Sequence, residues 1–149
     1  MNIAELLPLE AVLPELQADT QKGVLAELIA PLLGMHPELN RHDLMVTLCE
    51  RERVGSTTVG EGIAIPHGKI AGLDSLLLVV GRSREGVQFH APDNKPCHIF
   101  FLILTPEHCA GQYLRLLAQI VRRAKEPVFR AAILLAENRQ QIRQAVIAP

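Results

Sequence analysis

Three short apolar runs in the middle of the chain constrain its fold more than any other feature. They cover residues 63–65, 76–80 and 99–104, and they are bounded by Gly, Pro, Asp or Asn. Runs of this length and composition are typical of buried strands. A further strand is predicted at 87–89, followed by a turn at 93–96. The middle of the chain therefore predicts a sheet that is buried on both faces.

Helical patterns precede the predicted strands. Residues 1–19 contain two prolines and predict a short lead-in that packs on the domain. From Thr20, apolar residues recur with helical spacing, and Pro31 within this stripe predicts a kink or an early stop. Asn40 is a favourable N-cap for a second helix, which would carry Arg51 near its C-terminal end.

Helical patterns also follow the strands. Pro106 suits a helix start, and Pro127 opens a helix that runs through about Leu135. Asn138 and Gln141 have the spacing of a capping box before a last short helix. The predicted fold class is therefore α/β, as a single domain with a mixed β-sheet flanked by helices on both sides.

Composition agrees with a single domain that has one core. The chain has 149 residues, 48% of them hydrophobic and 21% charged, which is a balance typical of globular domains. Aromatic residues make up only 3% and tryptophan is absent, so the core is expected to consist of Leu, Ile, Val and Ala.

One histidine, His67, ends the first apolar run between a proline and a glycine. Pro66 restricts the backbone before it, and Gly68 leaves it without a bulky C-terminal neighbour, so that an incoming group can approach. A neutral imidazole, with a pKa of about 6.5, has a free lone pair near pH 7 and can accept a phosphoryl group. The same tripeptide also fits an ordinary turn with a surface histidine, so other residues must decide.

Residues suited to binding a phosphate lie just upstream of this histidine. Ser56, Thr57 and Thr58 offer hydroxyl and backbone donors between two glycines, and Arg51 and Arg53 offer positive charge. Each feature alone also fits a solvated turn or the end of a helix. Arginine, hydroxyls and a Pro-His-Gly sequence in one short stretch together indicate a phosphate site.

The same stretch resembles the signature of a known family, the type-2 enzyme IIA domains of the bacterial phosphoenolpyruvate-dependent phosphotransferase system (fructose/mannitol class). The resemblance covers residues 4–149, and the residues around the histidine are most similar to those of the nitrogen-regulatory enzyme IIA subgroup. The residues that carry it are Arg51-Glu52-x-x-Gly55-Ser56-Thr57-x-x-Gly60-x-Gly62-Ile63-Ala64-Ile65-Pro66-His67-Gly68, with Asp93-Asn94-x-Pro96 further on.

The resemblance implies a phosphoryl carrier with His67 as the phosphorylated residue. In the family, this histidine receives the group from the phosphocarrier protein HPr or its nitrogen-branch paralogue. Sugar-specific members pass it to an enzyme IIB domain, whereas nitrogen-regulatory members signal to regulatory partners through their phosphorylation state. No cofactor is expected, and because the chain lacks a GxxxxGK[ST] nucleotide cradle, ATP is not expected as the donor. The implied phosphate-binding residues are Arg51, Ser56, Thr57, Gly68 and Tyr113.

Tyr113 marks a departure from the family pattern. Family members often carry a second histidine at the start of a His-Leu pair, which here reads Tyr113-Leu114. A tyrosine hydroxyl can donate a hydrogen bond to the phosphate, but with a reference pKa of about 10 it supplies no titrating positive charge. His90, His98 and His108 are the other residues that can take the place of the second histidine.

Charge, hydropathy and cysteine usage argue against several classes of protein. The net charge of −1, without a basic patch interleaved with aromatics, argues against a nucleic-acid binder. No stretch reaches 18 apolar residues, so direct membrane insertion is not expected. Residues 1–5 lack the basic start of a signal peptide, and the three scattered cysteines fit a reduced compartment, which predicts a cytoplasmic location.

A metal site is not expected either. Cys97-His98 and His108-Cys109 are the nearest candidates, but adjacent residues of a strand point to opposite faces of the sheet. The ligand spacings typical of zinc sites are also missing.

Two functions outside phosphoryl transfer remain open at this point. The first is a regulator that binds partners without being phosphorylated, which Tyr113 in place of the usual histidine supports. The second is a hydrolase with His67 as general base, although the chain lacks a recognisable Ser or Cys nucleophile motif and an assigned Asp to orient the histidine.

Overall fold

Six strands form one mixed sheet at the centre of the protein, whose computed structural model describes residues 2–149. The strands are β1 (Val12–Leu13), β2 (Thr58–Gly60), β3 (Ile63–Ala64), β4 (His67–Lys69), β5 (Leu77–Val87) and β6 (Cys97–Thr105). The helices are α1 (Ile3–Leu6), α2 (Gln21–Met35), α3 (Arg41–Val54), α4 (Ala110–Ala124), α5 (Pro127–Leu135) and α6 (Arg139–Ile147).

The two longest strands, β5 and β6, pair antiparallel and form the middle of the sheet. β1 lies parallel to β5 on one side, while β3 and β4 both lie parallel to β6 on the other side, and β2 closes that edge antiparallel to β3. The three predicted apolar runs correspond to β3, β5 and β6, which confirms them as strands.

Helices cover both faces of this sheet. Gly81 and Phe100 are paired across β5 and β6, and the Gly81 position packs on Leu28 of α2. The next residue of β6, Phe101, points to the opposite face, where its ring stacks on Phe129 of α5 at 6.2 Å. α3 packs beside α2, and α4 and α6 pack beside α5. The predicted α/β fold with a mixed, doubly covered sheet is confirmed.

Most of the predicted helix starts are confirmed by their caps. The side chains of Thr20, Asn40 and Asn138 each accept a hydrogen bond from a backbone N–H in the first turn of α2, α3 and α6. Pro127 occupies the start of α5. After Pro106, a 3-10 turn at Glu107–Cys109 comes first, and the regular helix begins only at Ala110.

The structure corrects two sequence predictions about element bounds. Of the kink or early stop predicted at Pro31, the stop is wrong: α2 runs on to Met35, because buried residues on both sides of the proline, Leu28 and Leu32 among them, hold the helix against the sheet. No separate strand exists at 87–89. Instead β5 continues to Val87 through an irregular register after residue 82.

The N-terminal lead-in, of which Met1 lies outside the described residues, packs on the domain and also contributes the edge strand β1. Two residues are too short a run to be recognised in a sequence. The segment is fixed by Arg82 of β5, which is almost fully buried and donates hydrogen bonds to the carbonyls of Pro14, Ile133 and Ala136. One arginine thus joins the lead-in to the C-terminal end of α5.

The short strand β4, which carries His67, lies between β6 and α3. Gly68 in the middle of β4 is buried, and a Cβ atom at this position would lie 2.8 Å from Thr47 Cγ2 of α3. The missing side chain of Gly68 therefore leaves room for α3, while the approach of an incoming group to its backbone stays a prediction.

We expect Gly68→Ala to destabilise the protein by about 1–3 kcal/mol, the usual range for overpacking a filled site. Thr47→Ser removes the obstructing methyl group and should restore most of that loss in the double variant. Gly34→Ala, at an exposed helical position with nothing within 4 Å of the added Cβ atom, is the control and should not destabilise. Urea unfolding of the four variants measures these differences, and an undiminished loss in the double variant would contradict the assigned contact.

Candidate functional site

The side chain of His67 emerges from the face of the sheet opposite to α3. Because Gly68 points toward α3 and neighbouring strand residues alternate, His67 projects toward α4, where its ring lies against the ring of Tyr113. The sequence placed His67 at the end of a strand. In the structure it begins β4 and pairs in register with Ile103 of β6. The backbone of the central histidine is thus fixed by the sheet.

Two hydrogen bonds define the protonation of the imidazole. Its Nδ1 lies 2.9 Å from the carbonyl oxygen of Ile65, which can only accept, so Nδ1 carries the proton. Its Nε2 lies 3.1 Å from Nε of Arg51, which can only donate, so Nε2 presents a lone pair. His67 is therefore held as the neutral tautomer with Nε2 free of a proton.

The surroundings of His67 favour this neutral form. Burial is the main cause that lowers the pKa of His67, the bond to the Ile65 carbonyl opposes it, and the positive charge of Arg51 lowers the pKa further. A histidine with a lowered pKa keeps its Nε2 lone pair available at neutral pH.

Arg51 lies in the last turn of α3 and is held in place on its other side. Its Nη1 donates to the carbonyl oxygen of Gly55 at 2.9 Å, so the guanidinium bridges the end of α3 and the His67 ring. The second arginine of the motif, Arg53, instead forms an exposed pair with Glu50 at 3.3 Å. Of the two arginines considered from the sequence, the structure thus brings Arg51 to His67.

The hydroxyl residues after α3 divide into two groups. The hydroxyls of Ser56 and Thr58 lie 2.8 Å apart, and the backbone N–H of Thr58 donates to Ser56 Oγ at 3.1 Å. Both side chains are half-buried. Thr57, by contrast, is buried, and its hydroxyl donates to Glu52 Oε2 at 2.6 Å.

Glu52 is a residue of this site that the sequence reasoning missed. Burial raises the pKa of its carboxyl group, while hydrogen bonds from the hydroxyl and the backbone of Thr57 and the charges of Arg51 and His90 lower it. A glutamate in the last turn of a helix is ordinarily solvated. It stands in the family signature quoted above, between the arginine and the Gly-Ser-Thr turn, but the sequence reasoning gave it no role.

Tyr113 of α4 supplies the aromatic ring beside His67. The two ring centroids are 5.6 Å apart, with 43° between the ring planes. Burial raises the pKa of Tyr113, and Arg51 lowers it to a smaller extent, so the hydroxyl stays neutral near pH 7.

The other histidines considered as substitutes are held or placed differently. His98 Nδ1 bonds the carbonyl oxygen of Ser83 at 2.9 Å, with its ring packed close under Gly86. His90 is exposed on a backbone with φ of 55°, and His108 is exposed in the 3-10 turn before α4. Tyr113 is therefore the aromatic residue that the fold brings to His67.

The described residues offer little for a metal or a membrane. Within residues 2–149, no three His, Cys, Asp or Glu side chains are grouped so that they can hold a metal ion. Burial raises the pKa of Cys97 to about 12, so it stays a thiol and a poor ligand. Over the same residues, every helix is too short or too polar to cross a bilayer.

Comparison with known proteins gives consistent matches over nearly the whole chain. A family model described as "Phosphoenolpyruvate-dependent sugar phosphotransferase system, EIIA 2" matches residues 5–148. A nitrogen regulatory protein of Bradyrhizobium diazoefficiens is 31% identical over 149 residues, which cover 100% of this chain and 97% of that protein.

Solved structures agree with these matches. The crystal structure of nitrogen regulatory protein IIA-Ntr from Neisseria meningitidis is 30% identical with a TM-score of 0.90, covering 97% of this chain and 98% of that one. A chain in the complex of enzyme IIAMTL and phosphorylated enzyme IIBMTL from Escherichia coli has a TM-score of 0.76 and covers 96% of this chain and 98% of that one. At 14% identity this second likeness concerns the fold alone.

We expect His67 to titrate below its ordinary pKa of about 6.5 and to show the Nδ1–H tautomer. Because burial is the largest cause, Arg51→Gln should raise the pKa only part of the way. Between this lowered pKa and about pH 6.5, the unfolded chain then binds more protons than the folded one. This group's contribution to stability is therefore complete above about pH 6.5 and is lost as the pH falls through the pKa of the folded state. Nitrogen NMR of the imidazole over a pH series measures both the pKa and the tautomer of His67. An Nε2–H signal in the neutral wild type would contradict the assigned tautomer.

Proposed function

Because the chain belongs to the EIIA 2 family of the phosphoenolpyruvate-dependent sugar phosphotransferase system, we propose that residues 4–149 form a phosphoryl-carrier and regulatory domain phosphorylated on His67. One observation carries this proposal. The Nε2 lone pair of His67 lies at the hydrogen-bonding end of Arg51, with the Nδ1 proton fixed on the opposite side of the ring. This arrangement gives the imidazole one nitrogen with a free lone pair, as nucleophilic attack on phosphorus needs.

The proposed transfer from a phosphorylated donor protein to His67 needs no further chemical group. The Nε2 lone pair attacks phosphorus and forms the N–P bond, while the bond from phosphorus to the donor breaks and its electron pair stays with the donor. The Nδ1 proton remains on the His67 ring, where the Ile65 carbonyl stabilises the positive charge that the ring gains. The proposal includes no cofactor.

Arg51 contacts different groups before and after the proposed transfer. In the unmodified protein its Nε–H occupies the position in front of Nε2, at 3.1 Å, so it must move aside as phosphorus arrives. The same donor then faces the phosphoryl oxygens, and its bond to Gly55 keeps it close. Ser56, Thr58 and Tyr113 are the proposed further donors to the phosphate.

We propose an HPr-type phosphocarrier as the donor and regulatory proteins as the targets. Two relatives that match nearly the whole chain at 31% and 30% identity are nitrogen regulatory proteins, which supports a signalling role. We also propose a cytoplasmic location, where such a donor would be found.

A sugar-specific enzyme IIA that passes the group to a separate IIB is the second candidate. The fructose-specific EIIA component of Haloferax volcanii is 30% identical over 145 residues, which cover 97% of this chain and 94% of that protein, and the family description itself refers to sugar. The regulatory role comes first because the nitrogen regulatory relatives include both the 31% match over 100% of this chain and the solved structure with a TM-score of 0.90. A regulator that is never phosphorylated is supported least, because the tautomer of His67 and its contact with Arg51 favour an imidazole that can act as a nucleophile.

We expect the purified protein to be phosphorylated by phosphoenolpyruvate, enzyme I and an HPr-type protein together, with an acid-labile group on one residue. His67→Ala should abolish incorporation because the nucleophile is removed. His42→Ala, at an exposed position in the first turn of α3, is the matched control and should incorporate normally. Mass spectrometry after the reaction measures incorporation, and label that survives in His67→Ala would end the assignment.

Regulation and sugar transfer can be separated in the same system. A regulatory carrier should capture different partners from a cell extract in its phosphorylated form and in its unmodified form. A sugar-specific carrier should instead lose its label to added IIB proteins of the fructose or mannitol class. Partner capture that does not change with phosphorylation would favour the passive regulator.

Tyr113→Phe should lower the equilibrium ratio of phosphorylated to unmodified protein by roughly ten- to 150-fold. The variant removes only the hydroxyl that we propose as a donor to the phosphate, and a hydrogen bond to a charged group contributes about 1.5–3 kcal/mol. Its ring still packs on His67, so the pKa of His67 serves as the control. An unchanged ratio would show that the hydroxyl does not contact the phosphate.

A further inference from the structure

Glu52 lies beside Arg51 in the last turn of α3 and, unlike Arg51, forms no direct bond with His67. Its Oε2 accepts the hydroxyl of Thr57 at 2.6 Å, and its Oε1 accepts Nε2 of Gln21, at the start of α2, at 3.3 Å. Thr57 is only 5% exposed, so its hydroxyl depends on this carboxylate for a hydrogen-bond partner.

Two hydrogen bonds through the backbone of Ile65 connect Thr57 to His67. The carbonyl oxygen of Thr57 accepts the N–H of Ile65 at 2.9 Å. The carbonyl oxygen of Ile65 in turn accepts Nδ1–H of His67, also at 2.9 Å. The backbone of Thr57 therefore holds Ile65, and the Ile65 carbonyl fixes the tautomer of His67. If Thr57 moves, that carbonyl moves with it.

We propose that Glu52 is a positioning residue for phosphoryl transfer, which holds the Ile65 carbonyl against Nδ1 of His67 by way of Thr57. The inference rests on the proposed function of His67. Two successive residues of one helical turn then control the two nitrogens of the ring, Arg51 directly at Nε2 and Glu52 indirectly at Nδ1.

The framework around Glu52 is rigid enough for this role. α3 is anchored by its Asn40 cap and by the buried side chains of Leu44 and Leu48. The 2.6 Å hydrogen bond from the Thr57 hydroxyl to the half-buried carboxyl group of Glu52 shows that the contact between the helix and the turn is close. The role differs from the phosphate contact expected of Thr57 from the sequence, because the Thr57 hydroxyl is already donated to Glu52.

The experiment compares two disruptive variants with two conservative ones. Glu52→Ala and Thr57→Val remove the side-chain bond, whereas Glu52→Gln keeps an acceptor oxygen and Thr57→Ser keeps the hydroxyl. Glu50→Ala, an exposed glutamate of the same helix, is the matched control. Nitrogen NMR gives the tautomer of His67 in the unmodified protein, and phosphorylation kinetics with an HPr-type donor give kcat and KM.

We expect the Nε2–H tautomer of His67 to become populated in Glu52→Ala and, to a smaller extent, in Thr57→Val. The transfer rate kcat should fall about tenfold or more with KM for the donor unchanged, because the ring is misoriented while the docking surface is intact. Glu52→Gln, Thr57→Ser and Glu50→Ala should stay within about twofold of wild type in both measurements.

An unchanged tautomer and an unchanged kcat in Thr57→Val would overturn the proposal, and this nearly isosteric variant decides the matter if Glu52→Ala fails to fold. A loss of rate that Glu52→Gln and Thr57→Ser share equally would also overturn it. If the wild-type protein takes up no phosphoryl group, the proposed function fails, yet the tautomer measurement still tests the positioning role.

Discussion

The hydrogen bond between Nδ1 of His67 and the carbonyl of Ile65 is the interaction on which the rest of the site depends. A carbonyl cannot donate, so this one contact places the proton on Nδ1 and leaves Nε2 with the lone pair that the proposed function requires. Burial adds to the effect by disfavouring the charged ring. Without this bond the imidazole could rotate or change tautomer, and the arginine in front of Nε2 would have no fixed partner.

The end of α3 is the element that assembles the remaining groups. Thr47 packs against Gly68 and sets how closely the helix approaches β4. One turn later Arg51 reaches the ring, and Glu52 holds the turn that follows. Placing these groups on a capped helix instead of a free loop reduces the conformational entropy that must be lost when the phosphoryl group arrives.

Much of the fold could be predicted because its signals are local. A cap such as Asn40 acts within four residues, and the apolar run of β6 is recognisable from its composition and from the residues that bound it. The predictions failed where a distant contact overrides a local rule. Packing on the sheet carries α2 through Pro31, and pairing with Cys97 extends β5 to Val87. The strands β1 and β4 exist only because a long neighbouring strand offers them hydrogen bonds.

The sequence by itself singled out His67 as the proposed nucleophile and Arg51 and Arg53 as its candidate partners, since all three lie in one short segment whose residue types are recognisable together. Only the tertiary structure decided the direction of each side chain. It turned Gly68 toward α3, buried Thr57 against Glu52 and brought Tyr113 from α4 to the ring. The physical reason is that the direction of a side chain follows from strand parity and helix packing, which depend on residues far away in the chain.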